Sequence, residues 1–132
     1  MKERINQMIP AAMSAAEKHL TQPKNSDKIP SVYMGYISAF GSGIINSGLL
    51  TTVAMFYYSD SSDGDRKCLL NAIFETAFSE SERGRGTDFL KFLMARHKVD
   101  RHLTLEQSQI EDAAVALKLA IRTFDLVELQ KK

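Results

Sequence analysis

The chain has 132 residues, of which 44% are hydrophobic and 25% charged, with 17 basic residues against 16 acidic ones. That length is most simply one domain, able to bury roughly two thirds of the surface its unfolded chain exposes. A formal net charge of +1 excludes a strong whole-molecule field, and the single Cys68 excludes an intramolecular disulfide and favours a reducing, cytoplasmic setting.

The N-terminal Met-Lys-Glu-Arg-Ile-Asn-Gln lacks an uninterrupted apolar run and reads as a poor secretion signal. From Lys2 to Leu20, a stripe of Ile5, Met8, Ile9, Ala12, Met13, Ala16 and Leu20 predicts an amphipathic first helix, in which Pro10 either makes a kink or marks the true start. Thr21 to Pro30, with two prolines, Asn25, Ser26 and Asp27, reads as a solvated connection. Pro30 is expected to open a second helix whose apolar face is Val32, Tyr33, Tyr36, Ile37 and Phe40.

No Lys, Arg, Asp or Glu occurs between Lys28 and Asp60, so most of this stretch is expected to be buried. Ile44 and Ile45, then Leu49, Leu50, Val53, Ala54, Phe56 and Tyr57, recur largely at steps of three and four. Gly48, after Asn46 and Ser47, has the composition of a corner at positive φ between two helices. The stretch is long enough to raise a membrane span, but Ser38, Ser42, Asn46, Ser47, Thr51, Thr52 and four of the seven glycines lie in it, and its hydrophobicity is striped. A core helix pair is the better reading.

Ser59 to Asp65 is read as a polar loop. A helix follows from Asp65 to Ser79 on Leu69, Leu70, Ile73, Phe74, Ala77 and Phe78, then a second loop to Gly86. Thr87 is expected to cap a shorter helix through Lys98, with Phe89, Leu90, Leu93 and Met94 inward. Thr104 is expected to cap the last helix, carried to Gln130 on Leu105, Ile110, Ala113, Ala114, Leu117, Ala120, Ile121, Phe124 and Val127. It would be roughly 40 Å long at about 1.5 Å per residue. No alternating run argues for a strand. The expected fold is all-α, a single helical domain over residues 1–132 built as a bundle of about five to six helices with a long C-terminal helix.

Candidate chemistry is sparse. Asp60-Ser-Ser-Asp63-Gly64-Asp65 fails as a calcium loop, because alignment on Gly64 puts Leu70 where a bidentate Glu is needed. His97, Asp100 and His102 match no usual zinc spacing and read as surface residues of a loop. Cys68, beside Leu69 and Leu70, reads as a small core residue. Gly41-Ser42-Gly43 has no Gly-Lys-Ser after it, and tight helix packing explains it better than a phosphate loop. No arrangement suggests an active site, and the chain is expected to be non-catalytic, with no cofactor and no metal.

The charge distribution carries more. Residues 60–82 hold six acids against two bases, and residues 83–102 hold six bases (Arg83, Arg85, Lys91, Arg96, Lys98 and Arg101) against two acids, so one end of the molecule is expected to be acidic and another basic. Lys91 and Lys98 share a helix face, Arg83 and Arg85 precede that helix on a Gly-rich loop, and Lys118 and Arg122 stand one turn apart on the last helix. Cations held on helices can track phosphates without reading bases. From charge alone, a solvated face is the simpler reading.

Residues 36–56, Tyr-Ile-Ser-Ala-Phe-Gly-Ser-Gly-Ile-Ile-Asn-Ser-Gly-Leu-Leu-Thr-Thr-Val-Ala-Met-Phe, give a helix, an Ile pair, then Asn-x-Gly-Leu opening an apolar helix that ends in aromatics. The later Leu103-Thr-Leu-Glu and residues 113–124, with Lys118 and Arg122, complete the pattern. Together these resemble the small all-helical subunit family of the type III-B CRISPR effector, the Cmr complex of the RAMP module. The resemblance covers somewhat less than half the chain. It implies a non-catalytic subunit stacking in more than one copy along an RNA-guided, RNA-targeting complex in antiviral defence, its partners being other Cmr subunits, copies of itself, guide RNA and target RNA, with no membrane and no small-molecule substrate. By resemblance Lys118 and Arg122 best match the family's positive surface, while the other six basic residues rest on charge alone. Tyr33, Tyr57 and Met94 are candidates for subunit contacts if exposed. The alternative is a helical protein–protein interaction module or regulator without RNA contact.

Overall fold

Alanine-lined helix faces set the architecture. In the computed structural model, which describes residues 2–58 and 65–127, α1 (Lys2–His19), α4 (Asp65–Ala77) and α7 (Thr104–Ile121) pack against one another as the central layer. Ala12, Ala15 and Ala16 of α1, Ala72 of α4, and Ala113, Ala116 and Ala120 of α7 are buried at their contacts. Side chains that small let helix axes approach closely, and Leu20, Leu69, Ile73, Ile110 and Leu117 fill the remaining space. Helix α1 is continuous through Pro10, whose position on the exposed side leaves the buried face undisturbed.

The charge-free stretch forms α2 (Val32–Ser47) and α3 (Leu49–Tyr57), joined at Gly48 with φ at 88°, as the Asn-Ser-Gly composition predicts. Phe40 meets Phe56 edge to face at 5.5 Å between centroids. A β-carbon on Gly43 would lie 2.8 Å from Thr52 Cγ2, whereas one on Gly41 would meet nothing within 4 Å. The close-packing reading of this glycine pair therefore holds at Gly43, and Gly41 faces open space. No helix among the described residues is long and apolar enough to cross a membrane.

Two further helices complete the bundle. Helix α5 (Glu80–Arg83) is a single turn opened by a capping box between Ser79 and Glu82. Helix α6 (Phe89–His97) packs on α3 and α4 through an aromatic cluster. Phe74 stacks on Phe89 at 5.0 Å, and Phe78 lies 4.7 Å from Phe92. Such pairs contribute about 0.5–1.5 kcal/mol each beyond the area they bury.

The all-α class, the single helical domain and the long final helix agree with the sequence reading, and several details do not. Helix α7 ends at Ile121, about 27 Å from its start at 1.5 Å per residue. There the amides of Thr123 and Phe124 turn back to the carbonyls of Ala120 and Ile121, and the Thr123 hydroxyl donates to the Ala120 carbonyl at 2.7 Å. The chain then forms β2 (Asp125–Val127), parallel to β1 (Lys28–Pro30) in the register Lys28 to Asp125, Ile29 to Leu126 and Pro30 to Val127. Three-residue strands are too short for alternation to show. Pro30 accordingly lies in a strand, and α2 begins two residues later. Gln130, the expected helix end, and the loop with its Asp60–Gly64 turn lie outside the described residues.

Four apolar assignments change face. Helix α2 buries Tyr33, Ile37, Phe40 and Ile44, and one residue of helical rotation turns Ile45 outward to 81% exposure. Helix α6 buries Phe89, Phe92 and Leu93, which leaves Met94 53% exposed. Leu105 is 77% exposed, because α7 turns Glu106 and Ile110 inward instead. Met13 also lies on the exposed side of α1. Two caps move as well. Asp88 rather than Thr87 caps α6, its carboxylate accepting from the Lys91 amide at 2.7 Å. Asp100 accepts the amides of His102 and Thr104, so no side chain at position 103 or 104 caps α7.

Candidate nucleic-acid interface

The basic residues nominated by the sequence fall into three kinds of surroundings. Lys91 and Lys98 stand on the outer side of α6, seven residues and therefore about 10 Å apart along its axis. Met94 and Ala95 lie between them, and all four are exposed. Arg85 is exposed on the preceding turn, flanked by Gly84 and Gly86 with φ at 77° and 69°. None of these three cations has an ion-pair partner among the described residues.

Arg83 and Arg96 are engaged internally. The Arg83 guanidinium donates to the Phe78 carbonyl at 3.3 Å and lies 5.9 Å from the Phe74 ring centre. Arg96 reaches the Glu106 carboxylate at 3.3 Å while covering the Phe92 ring at 4.8 Å. Glu106 is buried, and a buried carboxylate needs such a partner. Arg83 thus ties α5 to the end of α4, and Arg96 ties α6 to α7, roles their sequence spacing does not reveal. Glu80 and Glu82 share one helical turn with Arg83.

Lys118 and Arg122 lie in the last turn and at the C-cap of α7, where the helix dipole favours positive charge. Arg122 is exposed. Lys118 is half-buried on the rim of a groove of about 380 Å³ between α2 and α7, with Ile37, Ile44, Ile45, Val115 and Glu111 among its walls. Val115 and Leu119 add exposed apolar surface beside it.

Arg101 occupies a different place. It lines a cavity of about 280 Å³ together with His97, His102, Gln107 and the start of α3. From Gln107 to Lys118 is eleven residues of one helix, or about 16 Å, so the Arg101 cavity and the Lys118 groove are separate sites. Among the described residues no group of three or more His, Cys, Asp or Glu is arranged to hold a metal ion. The oxygens of Asp100, between the two histidines in sequence, are taken by backbone amides.

Several interactions were hidden in the sequence. Arg66 places its guanidinium 4.8 Å from the Tyr36 ring centre and 6.0 Å from that of Phe56. Arg4 bonds Asp112 at 2.6 Å and Ser108 at 2.7 Å, partners 108 and 104 positions further along the chain. No local pattern encodes pairs so far apart. Of the aromatic and Met candidates for subunit contacts, Tyr33 is buried, Tyr57 half-buried and Met94 exposed. The Tyr57 hydroxyl donates to Asp88 at 3.3 Å. The charge of Asp88 foremost, then burial, the Asp88 hydrogen bond and Tyr58 raise the Tyr57 pKa above the ordinary tyrosine value.

Compared with protein-family models, curated proteins and solved structures, the chain matches none of them.

Proposed function

We propose that the chain is a non-catalytic small subunit of a type III-B CRISPR Cmr effector, stacking along that cytoplasmic complex and helping to hold guide and target RNA. The observation that carries the reading is the segment of residues 36–56, on which the resemblance rests: it forms α2 and α3 with their corner at Gly48. Support from charge comes from Lys91, Lys98, Arg85 and Arg122, exposed and without ion-pair partners among the described residues. Cations so placed are available to phosphates without the cost of breaking an internal pair. Arg83 and Arg96 are the weakest members of the proposed RNA surface, since each already has an internal partner.

Co-purification of the tagged chain from its native cell, with sequencing of any short RNA, tests the reading. Repeat-tagged guide RNAs recovered with RAMP-type subunits would support it. Recovery of one unrelated protein and no RNA would replace it with the interaction-module reading, which the exposed apolar groove beside Ile45, Val115 and Leu119 favours. A second test changes Lys118 and Arg122 together to Glu. The assembled complex should then retain RNA less well and lose about one unit or more from its salt slope, with helicity unchanged. Unaltered retention in a gel-shift titration would remove these two residues from the RNA surface.

A further inference from the structure

The cavity around Arg101 has a composition that the RNA reading alone does not require. His97 and Arg101 come from the end of α6 and the loop after it, His102 from that same loop, and Gln107 from the first turns of α7. All four side chains carry N–H donors, and a histidine ring keeps one donor even when neutral. Neither His97, Arg101 nor His102 has an ion-pair partner among the described residues, and none of the residues lining the cavity is acidic. The carboxylate of Asp100, next to Arg101 in sequence, is held by two backbone amides and does not line the cavity. Unopposed donor-bearing side chains lining one concavity suit a compact anion with several acceptor oxygens.

The opposite wall is the start of α3. Gly48, Leu49, Leu50 and Thr51 line it, and no side chain caps this nine-residue helix. Its first amides add to the donors of the loop, though the side chains of Arg101, His97, His102 and Gln107 define the site. At about 280 Å³ the cavity is small, the lower end of the range for small-ligand sites being about 300 Å³. That volume suits one phosphate group with part of its ester.

We propose that this cavity is a phosphate-binding site, with Arg101 as its principal charge and His97, His102 and Gln107 as orienting donors. That the phosphate belongs to an RNA backbone rests on the functional reading above; the site itself does not depend on it. It would grip one backbone phosphate at a fixed point about 16 Å along α7 from Lys118.

The test uses the full chain labelled with ¹⁵N and titrated with inorganic phosphate against chloride at equal ionic strength. Amides of Leu50, Thr51 and His102 should shift saturably. Arg101→Gln, at an exposed position, should weaken that response by about tenfold while leaving the spectrum otherwise folded, as expected for losing one charge-assisted hydrogen bond. Lys91→Gln should leave it unchanged. Shifts that never saturate, or that Arg101→Gln does not affect, would overturn the site.

A second arm titrates single-stranded RNA lacking terminal phosphates. If it moves the same amides and is weakened by Arg101→Gln, the backbone is the source. If inorganic phosphate saturates the cavity but RNA leaves it untouched, the phosphate site stands and the RNA source is overturned. If RNA binds only through Lys118 and Arg122 and phosphate never saturates the cavity, the site fails while the RNA reading survives.

Discussion

Replacing Gly43 and Gly41 separately by Ala tests the packing of the segment on which the functional reading rests. Both lie inside α2, where Ala is intrinsically favoured over Gly by about 1 kcal/mol. At Gly41 the new methyl meets open space, so the full gain should appear. At Gly43 the methyl would sit 2.8 Å from Thr52 Cγ2 and 2.9 Å from its Oγ1. Thr52 is buried and its hydroxyl donates to the Gly48 carbonyl at 2.7 Å, so rotating away costs that bond. Overpacking of this kind costs about 1–3 kcal/mol, which outweighs the propensity gain. Gly43→Ala should therefore be less stable than Gly41→Ala by about 2 kcal/mol in urea unfolding. Thr52→Ala should remove most of that difference, giving a coupling of about 1–2 kcal/mol in a double-mutant cycle. Equal stability of the two glycine variants, or no coupling to Thr52, would refute the α2–α3 packing described here.

Arg96→Gln should destabilise the fold by about 1 kcal/mol, a figure discounted because the guanidinium is nearly half exposed, since it strands the buried Glu106 carboxylate. Lys91→Gln and Lys98→Gln should stay within about 0.5 kcal/mol of the parent in the same urea series; equal losses at all three positions would contradict the internal role of Arg96. In a spectrophotometric titration of the four tyrosines, Tyr57 should ionise above the ordinary value of 10.0. Because its folded pKa is raised, the stability it contributes is complete below that ordinary value and is lost as pH rises through the raised one. Asp88→Asn, which keeps a capping oxygen, should bring the Tyr57 transition down, and an unmoved transition would exclude Asp88 as the main cause.

The helical class, most helix positions and the corner at Gly48 were legible in the chain, because they depend on local rules. Apolar residues at steps of three and four mark a helix face, and a charge-free run ending in Asn-Ser-Gly marks a corner. What periodicity leaves open is which of two adjacent apolar residues faces the core. Ile44 against Ile45 and Leu93 against Met94 were decided by the neighbouring helices, since one step of rotation separates burial from exposure. The end of α7 was likewise decided at a distance, by β1 taking up residues 125–127, each 97 positions further along the chain than its partner.

The candidate site divides in the same way. Charge counting found Lys91, Lys98, Arg101, Lys118 and Arg122 as cations, since side-chain charge is a property of the sequence itself. Whether a cation is free depends on what the fold sets beside it. Arg96 is tied to a carboxylate that α7 turns inward, and Arg83 to a carbonyl at the end of α4's turn into α5. Arg101 gains His97, His102 and the first residues of α3 as neighbours, a set drawn from segments some fifty residues apart. Local spacing determined which elements form; tertiary packing alone determined which charges face a common cavity, because that depends on the meeting of helix ends that no local pattern encodes.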